Sequence, residues 1–298
     1  MKKSQSRIHS ERTLAILFHT PTFLVLSIIT LGPLLYSLWI SFFNFRLSVP
    51  GGQDQFIGFG NYLEILRTPE VVQSMLTTFK FMLIAVSCQV ALGFALALAI
   101  NAVPRFQRII TSLILVPMMV APLVVGLMYS FFFNAQFGFY TWLVNTLHLP
   151  LPISLFSQSG SALITVALTD VWEWTPYLAL MFLAGLQSID MESFEAAKID
   201  GANAWQTFTR ITVPLMMPVI VVGIVLRSME AFKEFDKPYI LTGGGPGSAT
   251  EVIDMYTYRQ AFVSFNFSFA AAICVVLFVV LLICGILYGK FILERDVT

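Results

Sequence analysis

The stretch Ser188-Ile-Asp-Met-Glu-Ser-Phe-Glu-Ala-Ala-Lys-Ile-Asp-Gly-Ala-Asn-Ala-Trp-Gln-Thr-Phe-Thr-Arg-Ile-Thr-Val-Pro214 joins two long apolar runs. Asp190 or Ser193 can cap a short helix through Lys198, because a side-chain oxygen at that position accepts the unpaired N–H groups of the first turn. Gly201 can take the positive φ that ends such a helix. A second short helix is expected from about Asn203 to Ile211, before Pro214 opens the next run. The stretch therefore reads as a compact helix–glycine–helix elbow over 190–212. Phe194, Ala197, Ile199 and Trp205 are more apolar than a solvated connection requires, so one face is expected to pack on the rest of the chain or on another protein.

The composition around this elbow is that of a chain in lipid. Of 298 residues 57% are hydrophobic, only 11% are charged, and 28 are Phe. Mean hydropathy is +0.80, whereas soluble proteins carry about 25% charge. Seventeen basic residues balance seventeen acidic ones, which removes any bulk electrostatic argument for a nucleic-acid partner. Six apolar stretches are long enough to cross ~30 Å of hydrocarbon at 1.5 Å per residue. They run near Leu14 to Phe43, Met75 to Ile100, Ile109 to Phe133, Ala162 to Leu186, Pro214 to Ala231 and Phe269 to Leu287. No strand-like alternation runs through them, so the expected fold is an all-α membrane protein of six transmembrane helices, not a barrel.

The first run follows Lys2, Lys3, Arg7 and Arg12 and continues past Pro33 with no small-residue cleavage site, so it reads as an uncleaved span and not as a signal peptide. Basic residues then set the topology. The tail, the second connection (Arg105, Arg108), the fourth connection (Lys198, Arg210) and the end (Lys290, Arg295) are expected to be cytoplasmic, against Arg46, Arg67, Lys233, Lys237 and Arg259 on the other side. Both termini and the 190–212 elbow thus face the cytoplasm. The chain divides into a tail, first helix and outer loop (1–70), a five-helix core carrying the elbow (71–291) and a cytoplasmic tail (292–298).

The elbow carries Glu195-Ala196-Ala197, then Gly201 four positions on, nine residues before Ile211, and Pro214. This spacing resembles the signature of permease subunits of ATP-binding-cassette importers, departing from it only at Val213, where Leu is usual. Pro33-Leu-Leu-Tyr-Ser-Leu-Trp-Ile-Ser-Phe42, Phe56-Ile-Gly-Phe-Gly-Asn-Tyr62, Leu115-Val-Pro117, Trp172-Glu-Trp-Thr-Pro176 and Leu241-Thr-Gly-Gly-Gly-Pro246 are similar to the carbohydrate-uptake branch of that family. The resemblance implies a type I importer permease in a bacterial inner membrane. It would pair with a homologous second permease, two ATPase subunits that carry ATP and Mg, and an extracytoplasmic solute-binding protein that delivers a sugar. It further implies that the elbow is a coupling helix docking on the ATPase. Glu195 would be the ion-pairing acid and Gly201 the bend, with Ala196, Ala197 and Ala202 allowing close approach and Asp200 and Pro214 framing them.

The chain itself offers no ATP site and no catalytic site. Gly285 to Lys290 has the wrong spacing for a phosphate loop and is followed by Phe291, and Gly243-Gly-Gly-Pro-Gly247 reads as a tight outer turn. Cys88, Cys274 and Cys284 lie inside apolar runs without ligand spacing. His9, His19 and His148 are scattered, so no metal site and no bound cofactor is expected. No nucleophile stands beside a base.

Charges inside spans are costly and mark functional candidates. Asp170, Glu173, Trp174 and Tyr177 share one helical face of the fourth span, and Arg227, Glu230 and Glu234 share one face of the fifth, with Lys233 and Asp236 just beyond. These groups are expected between the midplane and the outer leaflet. There they either line a polar cavity, in which carboxylates accept sugar hydroxyls and Trp172 or Trp174 stacks on a ring, or neutralise one another, Arg227 with Glu230 or with Glu173. Lys233 and Arg227 leave room for an anionic substrate such as a glycerol phosphate, or for a polyol. A proton-coupled secondary carrier using Asp170, Glu173 and Glu230 is the alternative mechanism, though its usual internal repeats are not seen.

Overall fold

A computed structural model describes residues 2–46 and 55–295, with side chains over 17–46 and 55–290. In chain order the elements are α1 (Lys2–Ile40), β1 (Phe43–Asn44), β2 (Gln55–Phe56), α2 (Gly60–Arg67), α3 (Pro69–Asn101), α4 (Gln107–Ile114), α5 (Pro122–Phe132), α6 (Phe139–Thr146), α7 (Ser159–Gln187), α8 (Met191–Ile199), α9 (Ala204–Thr207), α10 (Val213–Phe232), α11 (Asp236–Thr242), α12 (Ile253–Phe262) and α13 (Phe267–Arg295). Among the described residues four helical runs are long and apolar enough to cross a membrane: Leu17–Ile40, Pro69–Asn101, Ala204–Phe232 and Phe267–Lys290. They coincide with the first, second, fifth and sixth expected spans. The stretch expected as the fourth span forms the 29-residue helix α7, which is not among those four.

The third expected span is not one helix. Between Ile109 and Phe133 the chain forms α4, a single 3-10 turn at Pro117–Met119, and α5, which is a short apolar helix. Proline contributes to the break: Pro117 and Pro122 cannot donate to the preceding turn, and although Val116 before Pro117 stays helical (φ −53°, ψ −46°), the residue before Pro122 is pushed out of the helical region. Ala121 accordingly has ψ 138°. The apolar run was visible in the sequence, but the two prolines divide it.

Contacts group the chain into two compact units, residues 1–68 with 257–283, and residues 69–256 with 284–298. In the first unit, the end of α1 is tied to the start of α2. Phe43 pairs with Phe56 across the two-residue sheet, and Asn61 Nδ2 donates to the carbonyls of Ser41 (2.7 Å) and Phe43 (2.8 Å). In the second unit, α7 packs along α3, and α10 packs on both. Glycine permits this closeness. A Cβ on Gly93 would lie 3.0 Å from Leu178 Cβ and 3.2 Å from the Ala179 backbone nitrogen, and one on Gly223 would lie 3.0 Å from Leu178 Cδ2. Two helices thus approach α7 at Leu178 through residues without side chains, the small-residue packing expected where lipid supplies no hydrophobic drive.

The second half of the elbow is not a helix separate from the span that Pro214 opens. Asn203 caps α9 with a reciprocal capping box to Gln206, and α9 runs through a π-helical turn at Phe208–Thr212 straight into α10. Pro214 lies at the start of α10, directly after that wide turn.

Candidate functional site: a buried charge network and an exposed elbow

The second unit brings six polar side chains from four helices and one link together. From α7 come Asp170 and Glu173, from α10 Arg227, from α11 Lys237, from the α10–α11 link Glu234, and from α3 Gln89. Asp170, Glu173, Arg227 and Lys237 are between 0% and 2% exposed. Arg227 Nη2 bonds Asp170 Oδ2, while its Nε donates to Gln89 Oε1 at 3.0 Å. Gln89 Nε2 in turn donates to the Asp170 backbone carbonyl (3.0 Å) and to its Oδ2 (2.8 Å). The Arg227 guanidinium carbon also lies 5.0 Å from the centre of the Trp174 ring. Lys237 Nζ lies 2.7 Å from Glu173 Oε2, 3.0 Å from Asp170 Oδ1 and 3.1 Å from Glu234 Oε2. A planar fork suits the bidentate job of Arg227, and a compact ammonium with three donors suits the three-carboxylate job of Lys237.

The sequence places the right residues in the wrong pairs. Arg227 was expected to meet Glu230 or Glu173. It meets Asp170, because α10 turns Glu230 to the exposed side, where it pairs with Lys233 Nζ at 3.0 Å. Glu173 is served by Lys237 instead. The expected pathway residues therefore split into a buried set, Asp170 and Arg227 bonded to each other and Glu173 to Lys237, and an accessible set (Glu230 and Lys233), with Trp174, Tyr177 and Asp236 half-buried. Sequence reasoning missed Lys237 and Gln89. Lys237 was legible as the i+3 partner of Glu234, whereas nothing in a single sequence marks Gln89 among the polar residues of α3. Near the accessible pair, burial pushes the Asp254 carboxyl up to about 6, and the Lys233 ammonium pulls it the other way.

The elbow has the geometry its residues suggest. Asp190 occupies the N-cap position of α8, though its side chain makes no capping bond, and Asp200 the C-cap. Gly201 follows with φ +77°, and Ala202 N bonds the Ala197 carbonyl at 2.9 Å. Glu195 and Ala196 are exposed and Ala197 is buried. Beside them Ile199 is 86% and Trp205 71% exposed, a strongly apolar surface on a short polar-flanked turn. Trp205 is in tilted ring contact with Phe208, and Phe208 with Phe94 of α3, with ring centres 5.8 and 6.0 Å apart. The glycine-rich turn after α11 is a closed structural turn: Gly243, Gly244 and Gly247 all have positive φ, and buried Thr250 donates to the Gly245 carbonyl at 2.9 Å. Among the described residues no group of His, Cys, Asp and Glu could hold a metal ion.

Long apolar helices packed through glycines around paired charges, with an exposed elbow between two of them, are the frame of a polytopic helical membrane protein. The chain belongs to the family of inner membrane components of binding-protein-dependent transport systems, which it matches over residues 89–294. It is 31% identical to the trehalose/maltose transport system permease protein MalF of Thermococcus litoralis, covering 95% of this chain and 94% of that one. It is 32% identical to the sulfoquinovosyl glycerol transport system permease protein SmoG of Agrobacterium fabrum, covering 96% and 92%. Among solved structures, a chain of a bacterial alginate ABC transporter in complex with an alginate pentasaccharide-bound periplasmic protein superposes with a TM-score of 0.80. It is 21% identical, over 95% of each chain, a likeness of fold. The family places the chain in an inner membrane as a multi-pass protein and sets aside the secondary-carrier reading.

Proposed function

We propose that this chain is one permease of an ATP-driven carbohydrate importer, crossing the membrane six times with both termini inside. It would form half of the translocation pathway beside a homologous second permease and couple to two ATPase subunits through the 190–212 elbow. The observation that carries this reading is the elbow itself: a short helix presenting Glu195, turned by Gly201 at positive φ, with Ile199 and Trp205 offered to a partner. An exposed Glu alone contributes little, but one held in a partly desolvated socket transmits a rigid-body push. Sugar is the substrate class because MalF and SmoG are named for a disaccharide and a glycoside.

Within the pathway, the accessible Glu230–Lys233 pair with Asp236, Trp174 and Tyr177 is the part free to meet substrate, and the buried network holds the surrounding helices. Arg227 is committed to Asp170 and Gln89, so a phosphate or sulfonate group would depend on Lys233. SmoG's sulfonated substrate makes such an anionic glycoside the second reading. The test is reconstitution with the ATPase, the second permease and a binding protein, followed by uptake of labelled neutral and anionic glycosides. ATP-dependent, vanadate-sensitive uptake supports the reading; uptake driven by a proton gradient without ATPase would end it.

A further inference from the structure

The short helix α2 buries only Asn61 and Ile65 and turns a larger apolar face outward. Its polar Asn61 is buried, at 3% exposure, and bonded to backbone carbonyls. Phe59, Leu63 and Leu66, at i, i+4 and i+7, share the opposite face and are 69%, 53% and 78% exposed, and Phe56 just before them is 68% exposed. A surface helix of a soluble domain shows the reverse pattern. We propose that this face lies in the membrane–water interface at the end of α1 and rests on lipid, anchoring the depth of the first span.

Two observations choose lipid over a protein occupant. The first is position. The 24 residues of Leu17–Ile40 span about 36 Å at 1.5 Å per residue, against ~30 Å of hydrocarbon, so the end of α1 lies at headgroup level. The start of α2 is bonded directly to that end: Ile57 N donates to the Phe42 carbonyl at 2.9 Å, and Ser41 Oγ and Tyr62 OH are 2.6 Å apart. The register of α1 in the bilayer is therefore also the register of α2.

The second observation is continuity. The exposed apolar surface of α1 reaches Tyr36 and Trp39, and Trp39 is in ring contact with Phe43, Phe43 with Phe56, and Phe42 with Phe59, at 4.5 to 5.5 Å. Aromatic rings gather at the membrane interface because they are apolar in body and tolerant of water at the edge. An amphipathic helix there buries its apolar face about 5–10 Å into the headgroup boundary. The surface is one sheet from α1 to α2, and lipid against its first half continues against its second.

The experiment uses the assembled transporter in phosphatidylethanolamine–phosphatidylglycerol vesicles, in a background with Cys88, Cys274 and Cys284 replaced by Ser. Single Leu66→Cys, Leu63→Cys and Glu64→Cys variants carry an environment-sensitive fluorophore. The labels at 66 and 63 are expected to be quenched by a nitroxide placed high on the lipid acyl chain and spared by aqueous iodide, with the label at 64 showing the opposite. Iodide quenching at 66 and 63 equal to that at 64 would overturn the proposal by putting the face in water. Protection from both quenchers would overturn it by putting a protein there. Leu63 and Leu66 are both exposed, so failure of one variant to assemble leaves the other to decide.

Discussion

Lys237 Nζ stands 2.7 Å from Glu173 Oε2, a bond that ties the short α11 to α7 with neither group open to solvent. The same ammonium lies within 3.1 Å of Asp170 and Glu234, so one cation answers two buried carboxylates and a half-buried one. Removing one partner of a buried pair leaves the other desolvated and unmatched, at a cost of about 3–5 kcal/mol. Lys237→Met is therefore expected to cut the yield of folded protein severely and lower its thermal midpoint in detergent. Adding Glu173→Gln should recover part of the loss. An unchanged midpoint in Lys237→Met would remove the network from the stability of this unit.

The Gly93–Leu178 approach gives a steric prediction. A methyl at 93 would meet Leu178 Cβ at 3.0 Å and the Ala179 backbone nitrogen at 3.2 Å, and a backbone atom in mid-helix cannot yield as a flexible side chain does. Gly93→Ala should destabilise by about 1–3 kcal/mol through overpacking, read as a lowered thermal midpoint, whereas Gly285→Ala, where nothing lies within 4 Å, should not.

Asp254 supplies the pH dependence. Its folded-state pKa of about 6 lies above the unfolded value of about 3.9, so the folded protein holds a proton that the unfolded chain releases. Its contribution to stability is greatest at low pH, falls as pH rises from about 4 through about 6, and is constant above that. The wild type should therefore lose stability relative to Asp254→Asn over that window, and midpoints of both proteins measured from pH 4 to 8 test it. Parallel curves would show that Asp254 titrates as it does in the unfolded chain.

For the elbow, Glu195→Lys should leave membrane insertion and the fold of the second unit intact, since Glu195 is exposed and bonded to nothing that holds α8. Coupled uptake should fall at least tenfold, while co-purification with the ATPase weakens. Import at the wild-type rate would show that the acid is not part of the coupling contact.

The parts of this structure that were legible in the sequence are those governed by local rules. The apolar runs gave the long helices, Gly201 gave the turn of the elbow, and the i, i+3 spacing of Asp170 and Glu173 put them on one face. What was not legible depends on which helix comes to lie opposite. Arg227 has Glu230 one turn away on its own helix, yet bonds Asp170, fifty-seven positions distant in sequence, because α7 and not solvent lies against that side of α10. Lys237 counted only as an outer-side charge until α11 folded back onto α7. The break at Pro117 and Pro122 was readable in principle, but apolarity without periodicity hides a discontinuity.

The π turn at Phe208–Thr212 closes with Val213 N bonded to the Phe208 carbonyl, one residue wider than an α turn. Each residue of a helix advances the azimuth by about 100°, so this surplus residue puts α9 and α10 out of phase although they follow one another without a break. Azimuths counted from Ala204 to Phe232 as one regular helix point to the wrong sector on one side of the insertion. Any map of which positions on this run face protein and which face lipid needs two origins, one before residue 208 and one after 212. Deleting the exposed Arg210 from the turn would bring the two into phase and rotate α9, with Trp205, against α10.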